Sequence, residues 1–428
     1  MEEFHTVSFH TLGCRLNQAE TAALQNRFRA AGYEIVDFSE PADVVVINTC
    51  TVTEHGDSDT RRLVHKIHRE HGRAQIALIG CQSQIQGEVL CRLPGVSWVA
   101  GNAVKMELPE IIRSHRDGGP LLIAPKIGRG PFTMPAPAID RSHTRANLKI
   151  QDGCNFFCAF CEIPYARGRS RSRDLSDLLH EAELLAAAGH QEIILTGVNL
   201  GTWQQDDRRL IDILRALAAL PGLERIRISS IEMTTLPDGL FTLMHGGRLC
   251  RFLHVPAQSG SDAILKAMHR RHTAGQFADL IRHAAAEVPG IGLGTDILVG
   301  FPGETEALFE ETRALLDALP LAYFHVFSYS ERNHARSRLL PGKVDEETKI
   351  RRSKVLRALS LSKRHAYFRR FLGSEQTVLF EEEQRGVWSG LTDTFIRVRV
   401  HSPEPLHNQL RRVRLEKIDE LSVLGTLI

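Results

Sequence analysis

Apolar residues along this chain recur at two spacings that take turns. Short β-rich runs at 7–9, 44–47 and 76–79 are separated by stretches of helical periodicity, such as 19–31, which Gly32 closes. Such alternation predicts a parallel sheet with helices on its faces. From residue 147 it resumes, with strands expected at 148–150, 192–195, 225–229, 252–255, 294–299 and 322–327. Asp174 is placed to open a helix that Gly189 closes, and Glu304 to open another. Six such units fall short of the roughly 250 residues of a complete eight-unit barrel, so a partial (β/α)6 barrel is expected. After Gly373 the pattern changes to short β runs, "QTVLFEE", "FIRVRV" and "RRVRLEKI", which predict a small closed β-barrel.

Pro120, Pro125, Pro131, Pro135 and Pro137, with Gly128 and Gly130, suit an extended linker. The expected division of this α/β protein is therefore 1–118, a linker at 119–146, the barrel with a basic terminal helix at 147–371, and the β domain at 372–428. A composition of 43% hydrophobic and 24% charged residues belongs to folded proteins. Early acids, no apolar leader and no run of about 18 apolar residues lead us to expect a cytoplasmic protein without a membrane partner. In that reducing compartment the eight cysteines speak for metal or catalytic use rather than disulfides. The 53 basic and 51 acidic residues nearly cancel, so only local clusters can attract an anion. One stands out: 349–370 holds nine Lys and Arg and no acid, which suits either a solvated helix face or an RNA backbone.

Cys14, Cys50 and Cys81 each follow one of the first three apolar runs. The carboxyl ends of parallel strands share an edge, so these three are expected to converge. A second set, Cys154, Cys158 and Cys161, lies in "DGCNFFCAFCEIP". Buried, inert thiols would be an odd use of three cysteines in eight positions. Structural zinc wants a fourth ligand, and the nearest histidine beyond, His180, belongs to the next helix. Three thiolates would leave one iron of a 4Fe-4S cluster open to a small molecule. The twenty histidines are scattered and mark no metal site.

This spacing, with Phe160 just before the last cysteine, resembles the radical S-adenosylmethionine enzymes. Within them, "TLGCRLNQAET", "VVVINTCTVT", "ALIGCQSQ", "LTGVNLG", "RISSIE", "HVPAQSGSDAILKAMHRRHT" and "TDILVGFPGETE" are similar to the methylthiotransferases. The resemblance implies one 4Fe-4S cluster on Cys154, Cys158 and Cys161, whose open iron chelates S-adenosyl-L-methionine, and a second on Cys14, Cys50 and Cys81. It leaves Cys91 and Cys250 over, for which an inert, buried role is expected. Phe160, Asn199, Ser229 and Gln258 become candidate cofactor contacts; the last three follow strands on the edge where that cofactor would sit, with turn capping as the competing account. "INTCTVT" and "PYARGRSRSR" look closest to the branch acting on N6-threonylcarbamoyladenosine of transfer RNA, which implies methylthiolation at adenine C2, an anticodon stem-loop as partner and an electron donor protein. The sister branches act on isopentenyladenosine RNA or a ribosomal protein, and a non-catalytic metal-containing RNA-binding protein is the rival from another class.

The β domain is similar to the RNA-binding TRAM domain. Arg397 and Arg399, with Phe395 or Trp388, could meet unpaired bases there, although such aromatics are more often core. Arg167, Arg169, Arg171 and Arg173 would share one side of an extended segment and bind phosphate or a cofactor carboxylate, against a solvated, salt-bridged alternative. "SYSERNHARS", 328–337, departs from the Pro- and Gly-containing turn usual in the family, so a loop of different shape is expected.

Overall fold

The first apolar runs build a parallel sheet of β1 (Thr6–Thr11), β2 (Glu34–Ile35), β3 (Val44–Thr49), β4 (Gln75–Gly80), β5 (Val96–Ala100) and β6 (Leu121–Ile123), in the order β2-β1-β3-β4-β5-β6. The structure is a computed structural model that describes residues 4–51, 54–115, 119–140 and 143–428. Helices α1 (Arg15–Ala30), α2 (Glu54–Glu70), α3 (Cys81–Leu90) and α4 (Leu108–Ser114) cover both faces. This is why β3 is buried at every position: Val44 and Val46 pack with α1 and α4, and Val45 and Ile47 with α2 and α3. The proline-rich segment is less of a free linker than its composition suggests. Residues 121–123 pair with β5 as the edge strand β6, and Asn26 of α1 donates to the Pro137 carbonyl at 2.8 Å.

The second series forms the partial barrel. After β7 (Arg145–Lys149) a short β8 (Gln151–Asp152) pairs with β9 (Arg171–Ser172) around the helix α5 (Ile163–Arg167). Then come α6 (Leu175–Ala187), β10 (Glu192–Thr196), the hairpin β11 (Gln204–Gln205) and β12 (Arg208–Arg209), α7 (Leu210–Ala218), β13 (Arg225–Ile228) and α8 (Leu240–His245). The second half contains β14 (Phe252–His254), α9 (Asp262–Ala267), α10 (Ala274–Glu287), β15 (Gly292–Val299), α11 (Glu306–Ala318) and β16 (Tyr323–Ser328). Parallel sheets β7-β10-β13 and β14-β15-β16 meet where Ile226 bridges Leu249 and the Ile231 amide donates to the His254 carbonyl at 3.0 Å. Ile193, Leu195, Ile226 and Ile228 face the helices in one large core, leaving Asn147, Thr196 and Arg227 to face inward. Asp174 caps α6 by accepting from the Asp177 amide at 3.1 Å. The expected opening of α11 by Glu304 is corrected: Thr305 is its cap, and the Glu304 carboxylate turns back to the Gly300 amide (2.7 Å) and Arg352 (2.7 Å).

Helix α12 (Glu346–Arg369) lies along β16, with Ser360 Oγ donating to the Phe324 carbonyl at 2.7 Å. Part of its basic character is spent on this docking, since Arg351 and Arg352 pair with Glu306. The last five strands, β17 (Glu375–Gln384), β18 (Val387–Thr392), β19 (Arg397–His401), β20 (Leu410–Asp419) and β21 (Ser422–Leu427), close into a barrel. Arg225 donates to the carbonyls of Leu391 (3.0 Å) and Thr377 (2.7 Å), and Arg227 to those of Thr392 and Asp393 (both 3.0 Å). Phe395 is half-buried: it packs on Phe252 at 4.5 Å between ring centroids and lines the interior cleft. Among the described residues no helix is long and apolar enough to cross a membrane.

Candidate metal and cofactor centre

The first cysteine set converges as the sheet edge requires. Cys14 is the N-cap of α1, Cys50 directly follows β3, and Cys81 begins α3 at the end of β4. Helix N-termini carry partial positive charge, which suits thiolates. The approach is close: a Cβ on Gly13 would lie 2.6 Å from Cys50 Sγ. Asn17 Nδ2 donates to the carbonyls of Leu12 (2.8 Å) and Thr49 (3.1 Å), tying the loops that carry Cys14 and Cys50 together. Cys14 lines the interior cleft. Protein around it pushes its thiol up, Arg167 pulls it down, and Cys81 is near enough to push it up again.

The second set encircles the loop after β8. Gly153 opens it with φ +73, where a Cβ would lie 2.1 Å from the Arg169 carbonyl oxygen, so only glycine fits. Burial raises the Cys161 thiol, and Cys158 and Cys154 raise it further, as neighbouring thiols would. Two donors point at sulfur: the Phe156 amide at 3.4 Å from Cys154 Sγ, and Arg270 Nη1 at 3.5 Å from Cys158 Sγ. Arg270 is itself held by Glu232 (3.0 Å) and the Pro256 carbonyl (2.8 Å). Soft ligands in threes, with cationic and amide donors aimed at the sulfurs, fit an iron-sulfur cluster.

Three side chains outside the cysteine motifs hold the two sets face to face. Asn102 Nδ2 is 3.7 Å from Cys81 Sγ and donates to the Ala166 carbonyl at 2.7 Å. Arg332 donates to Thr51 Oγ1 (2.5 Å), beside Cys50, and to Glu162 (3.1 Å), beside Cys161. It comes from the segment 328–337 that departs from the family turn, which here serves as a clamp. Arg167 is fully buried and donates to Asn17 (2.6 Å), Glu20 (2.9 Å) and Asp152 (3.1 Å). The one-sided arginine row expected at 167–173 is thereby corrected. α5 ends at Arg167 and Gly168 turns the chain at φ +77, so Arg173 enters a separate buried network with Asp177 and Glu181. Arg169 stacks over Phe157 and Arg171 over Phe132.

Comparisons with known proteins bear on this arrangement. A family model described as the radical SAM superfamily matches residues 148–316, and one described as uncharacterized protein family UPF0004 matches 6–101. A threonylcarbamoyladenosine tRNA methylthiotransferase of Bacillus subtilis is 36% identical over 96% of this chain and 94% of its own length. The corresponding protein of Aquifex aeolicus is 35% identical over 92% of this chain and 96% of its own length. The chain belongs to the radical SAM methylthiotransferases. A tRNA-2-methylthio-N(6)-dimethylallyladenosine synthase of Cereibacter sphaeroides is 34% identical over the whole of both chains. Among solved structures, the radical S-adenosylmethionine methyltransferase TsrM of Kitasatospora setae shares the fold, with a TM-score of 0.56 and 17% identity over 76% of this chain and 75% of its own.

The remaining candidates of this methylthiotransferase separate. Asn199 is buried after β10; its Oδ1 accepts from Thr235 Oγ1 at 3.1 Å while its Nδ2 has no hydrogen-bond partner among the described residues, which suits a cofactor oxygen. Ser229, after β13, lines the interior cleft of about 650 Å³ together with Cys14. Gln258 stands after β14 in a left-handed conformation, φ +76. Phe160 packs with Ile264, Met268 and Leu298 beside Cys161. The reading that histidines mark no metal site missed one convergence: His254, Asp296 and His325 offer ligand atoms within 4.8 Å of one another. His254 Nε2 is 3.1 Å from Asp296, and burial that would raise that carboxyl is outweighed by the histidine, which holds it below its ordinary value. Cys250 is buried and pushed up to about 12 by that burial, and Cys91 is half-buried.

Proposed function

We propose that this chain inserts a methylthio group at C2 of N6-threonylcarbamoyladenosine in the anticodon stem-loop of transfer RNA. The carrying observation is that two three-cysteine sets, one from the first sheet and one from the barrel, are fastened together by Arg167, Arg332 and Asn102. Relatives alike over nearly the whole chain bear names for this reaction. Cys154, Cys158 and Cys161 would hold one 4Fe-4S cluster and Cys14, Cys50 and Cys81 another, with S-adenosyl-L-methionine as cosubstrate and an electron donor protein as supplier. Bound there, these groups supply one-electron cleavage of the sulfonium and a site for the transferred sulfur.

The chain's own residues position and enclose. Asn199 Nδ2 and Ser229 offer hydrogen bonds at the carboxyl ends of adjacent strands, and Phe160 supplies an apolar wall beside Cys161. The segments 1–118, 147–371 and 372–428 act as sulfur, radical and RNA-gripping parts, joined through 119–146. Anaerobic reconstitution should yield about eight irons per chain and 5'-deoxyadenosine on reduction; zinc alone would reject the enzyme. Cys161→Ala should abolish 5'-deoxyadenosine formation, whereas Cys81→Ala should keep it and stop sulfur insertion. Mass spectrometry of nucleosides from a deletion strain names the substrate: unchanged methylthio-threonylcarbamoyl nucleoside with loss of the dimethylallyl counterpart would give the other branch.

A further inference from the structure

Arg15 directly follows Cys14 and enters the interior cleft beside the first cysteine set. Within reach of its charge lie two more guanidinium groups, of Arg145 and Arg227, and two carboxylates, of Glu192 and Glu381. Both carboxylates are engaged already. Glu192 accepts from Arg227 Nε at 2.6 Å, and Glu381 from Arg145 Nε at 2.5 Å. The third acid facing the cleft from the barrel, Asp296, is held by His254, and Glu382 is exposed at the rim. Among the described residues neither a hydrogen bond nor an ion pair holds the Arg15 guanidinium. Arg145 Nη1 is buried without a hydrogen bond among the described residues, 3.9 Å from Glu192 Oε1. Arg145 and Arg227 thus share the two carboxylates, and Arg15 is the guanidinium lining the cleft that has no carboxylate in contact among the described residues. A cation kept in such a place is worth its desolvation when a ligand brings the missing partner.

The two nucleosides named for the relatives differ in this respect. A dimethylallyl group is a hydrocarbon, whereas a threonylcarbamoyl group ends in a carboxylate and carries a hydroxyl. We propose that Arg15, assisted by Arg145 Nη1, binds the carboxylate of the threonylcarbamoyl group and so selects that nucleoside. This rests on the reading of the substrate given above. Guanidinium and carboxylate match as paired donors and acceptors, and a hydrocarbon there would leave the guanidinium unpaired, which discriminates more sharply than a missing apolar contact. The contact also has the right address: next to Cys14, it anchors the substituent where the sulfur-bearing set meets the cleft.

The test uses the reconstituted full-length enzyme and RNA anticodon stem-loops bearing N6-threonylcarbamoyladenosine or its methyl ester, with binding read by fluorescence anisotropy. The wild type should bind the free acid at least about tenfold more tightly than the ester. Arg15→Gln should bring that ratio close to one, and Arg15→Lys should keep part of it. An unchanged ratio in Arg15→Gln overturns the proposal. So does a wild type indifferent to esterification, a measurement that needs no variant to fold. A ratio that falls only together with the iron content assigns Arg15 to the metal centre and counts equally against it. Failure of the substrate reading looks different: the wild type would then methylthiolate a dimethylallyladenosine stem-loop and leave the threonylcarbamoyl one untouched.

Discussion

Arg270 shows what one side chain contributes to a thiolate site. Burial raises the Cys158 thiol, and the Arg270 charge and hydrogen bond pull it back down. Iron binds the thiolate, so the guanidinium favours the ligating form. Arg270→Gln removes the charge and most of the donor strength. Expected is roughly tenfold to hundredfold weaker cluster retention against a chelator at pH 7, as for other outer-shell changes, with recovery at higher pH where the thiol ionises unaided. Equal iron loss from wild type and variant across that pH range would contradict it. The placement of the six cysteines, three after strands of one sheet and three in one loop, was legible, because spacing and strand ends constrain it locally. Arg270 was not: it sits in "HRRHT", a polar stretch without periodicity, and reaches a sulfur 112 positions away. The pairing of His254 with Asp296 was hidden for the same reason, since two strands must first lie side by side.

Among elements, the turn from β4 into α3 is tightly constrained. Gly80 adopts φ +99, and a Cβ there would lie 2.5 Å from Asn48 Oδ1 and 2.7 Å from the Thr49 carbonyl. Both neighbours belong to β3, whose next residue is Cys50, so relief of the clash moves two cysteines at once. Gly80→Ala should destabilise the first sheet by about 1–3 kcal/mol, seen as a lower melting temperature, and lose about half of the iron while leaving 5'-deoxyadenosine formation from the other set. Loss of that formation too would show that the sets do not fold independently. The alternation of apolar runs made the parallel sheet and the six-unit barrel readable, because burial of both faces leaves a continuous apolar signature. It failed for β6, whose three residues lie among prolines and gain strand character only from pairing with β5. It also failed at 167–173, where period-two spacing resembled a strand although Arg167 ends a helix.

At the scale of the molecule, the joint between first sheet and barrel turns on Glu20. This fully buried carboxylate of α1 accepts from Arg167 and Lys149 of the barrel and from Lys105 of its own domain. Such a joint has no sequence signature, since Glu20 and Lys149 are 129 positions apart and a lone acid on a helix reads as a solvated residue. Burial alone would raise the carboxyl, but Arg167, Lys105 and Lys149 outweigh it and hold the group well below its ordinary value of 4.5. The sign of the pH effect follows. Where the folded pKa is depressed, the unfolded chain takes up the proton first, so the contribution is complete above about pH 4.5 and disappears as pH falls through the lower folded value. Glu20→Gln removes the anion and leaves the cations facing one another with only Asp152 to balance them, which should destabilise the joint by about 3–5 kcal/mol. Limited proteolysis of the metal-free chain at pH 7, where cluster acid-lability plays no part, should then release the first sheet from the barrel in the variant and not in the wild type. Lowering the pH from about 4.5 toward 3 should raise the wild type's rate of release toward the variant's, because the unfolded chain takes up the proton there, and should change the variant less; a wild-type rate that stays flat over that range, or a variant that responds as strongly, would mean that this carboxylate does not carry the contact between the two cysteine-bearing halves.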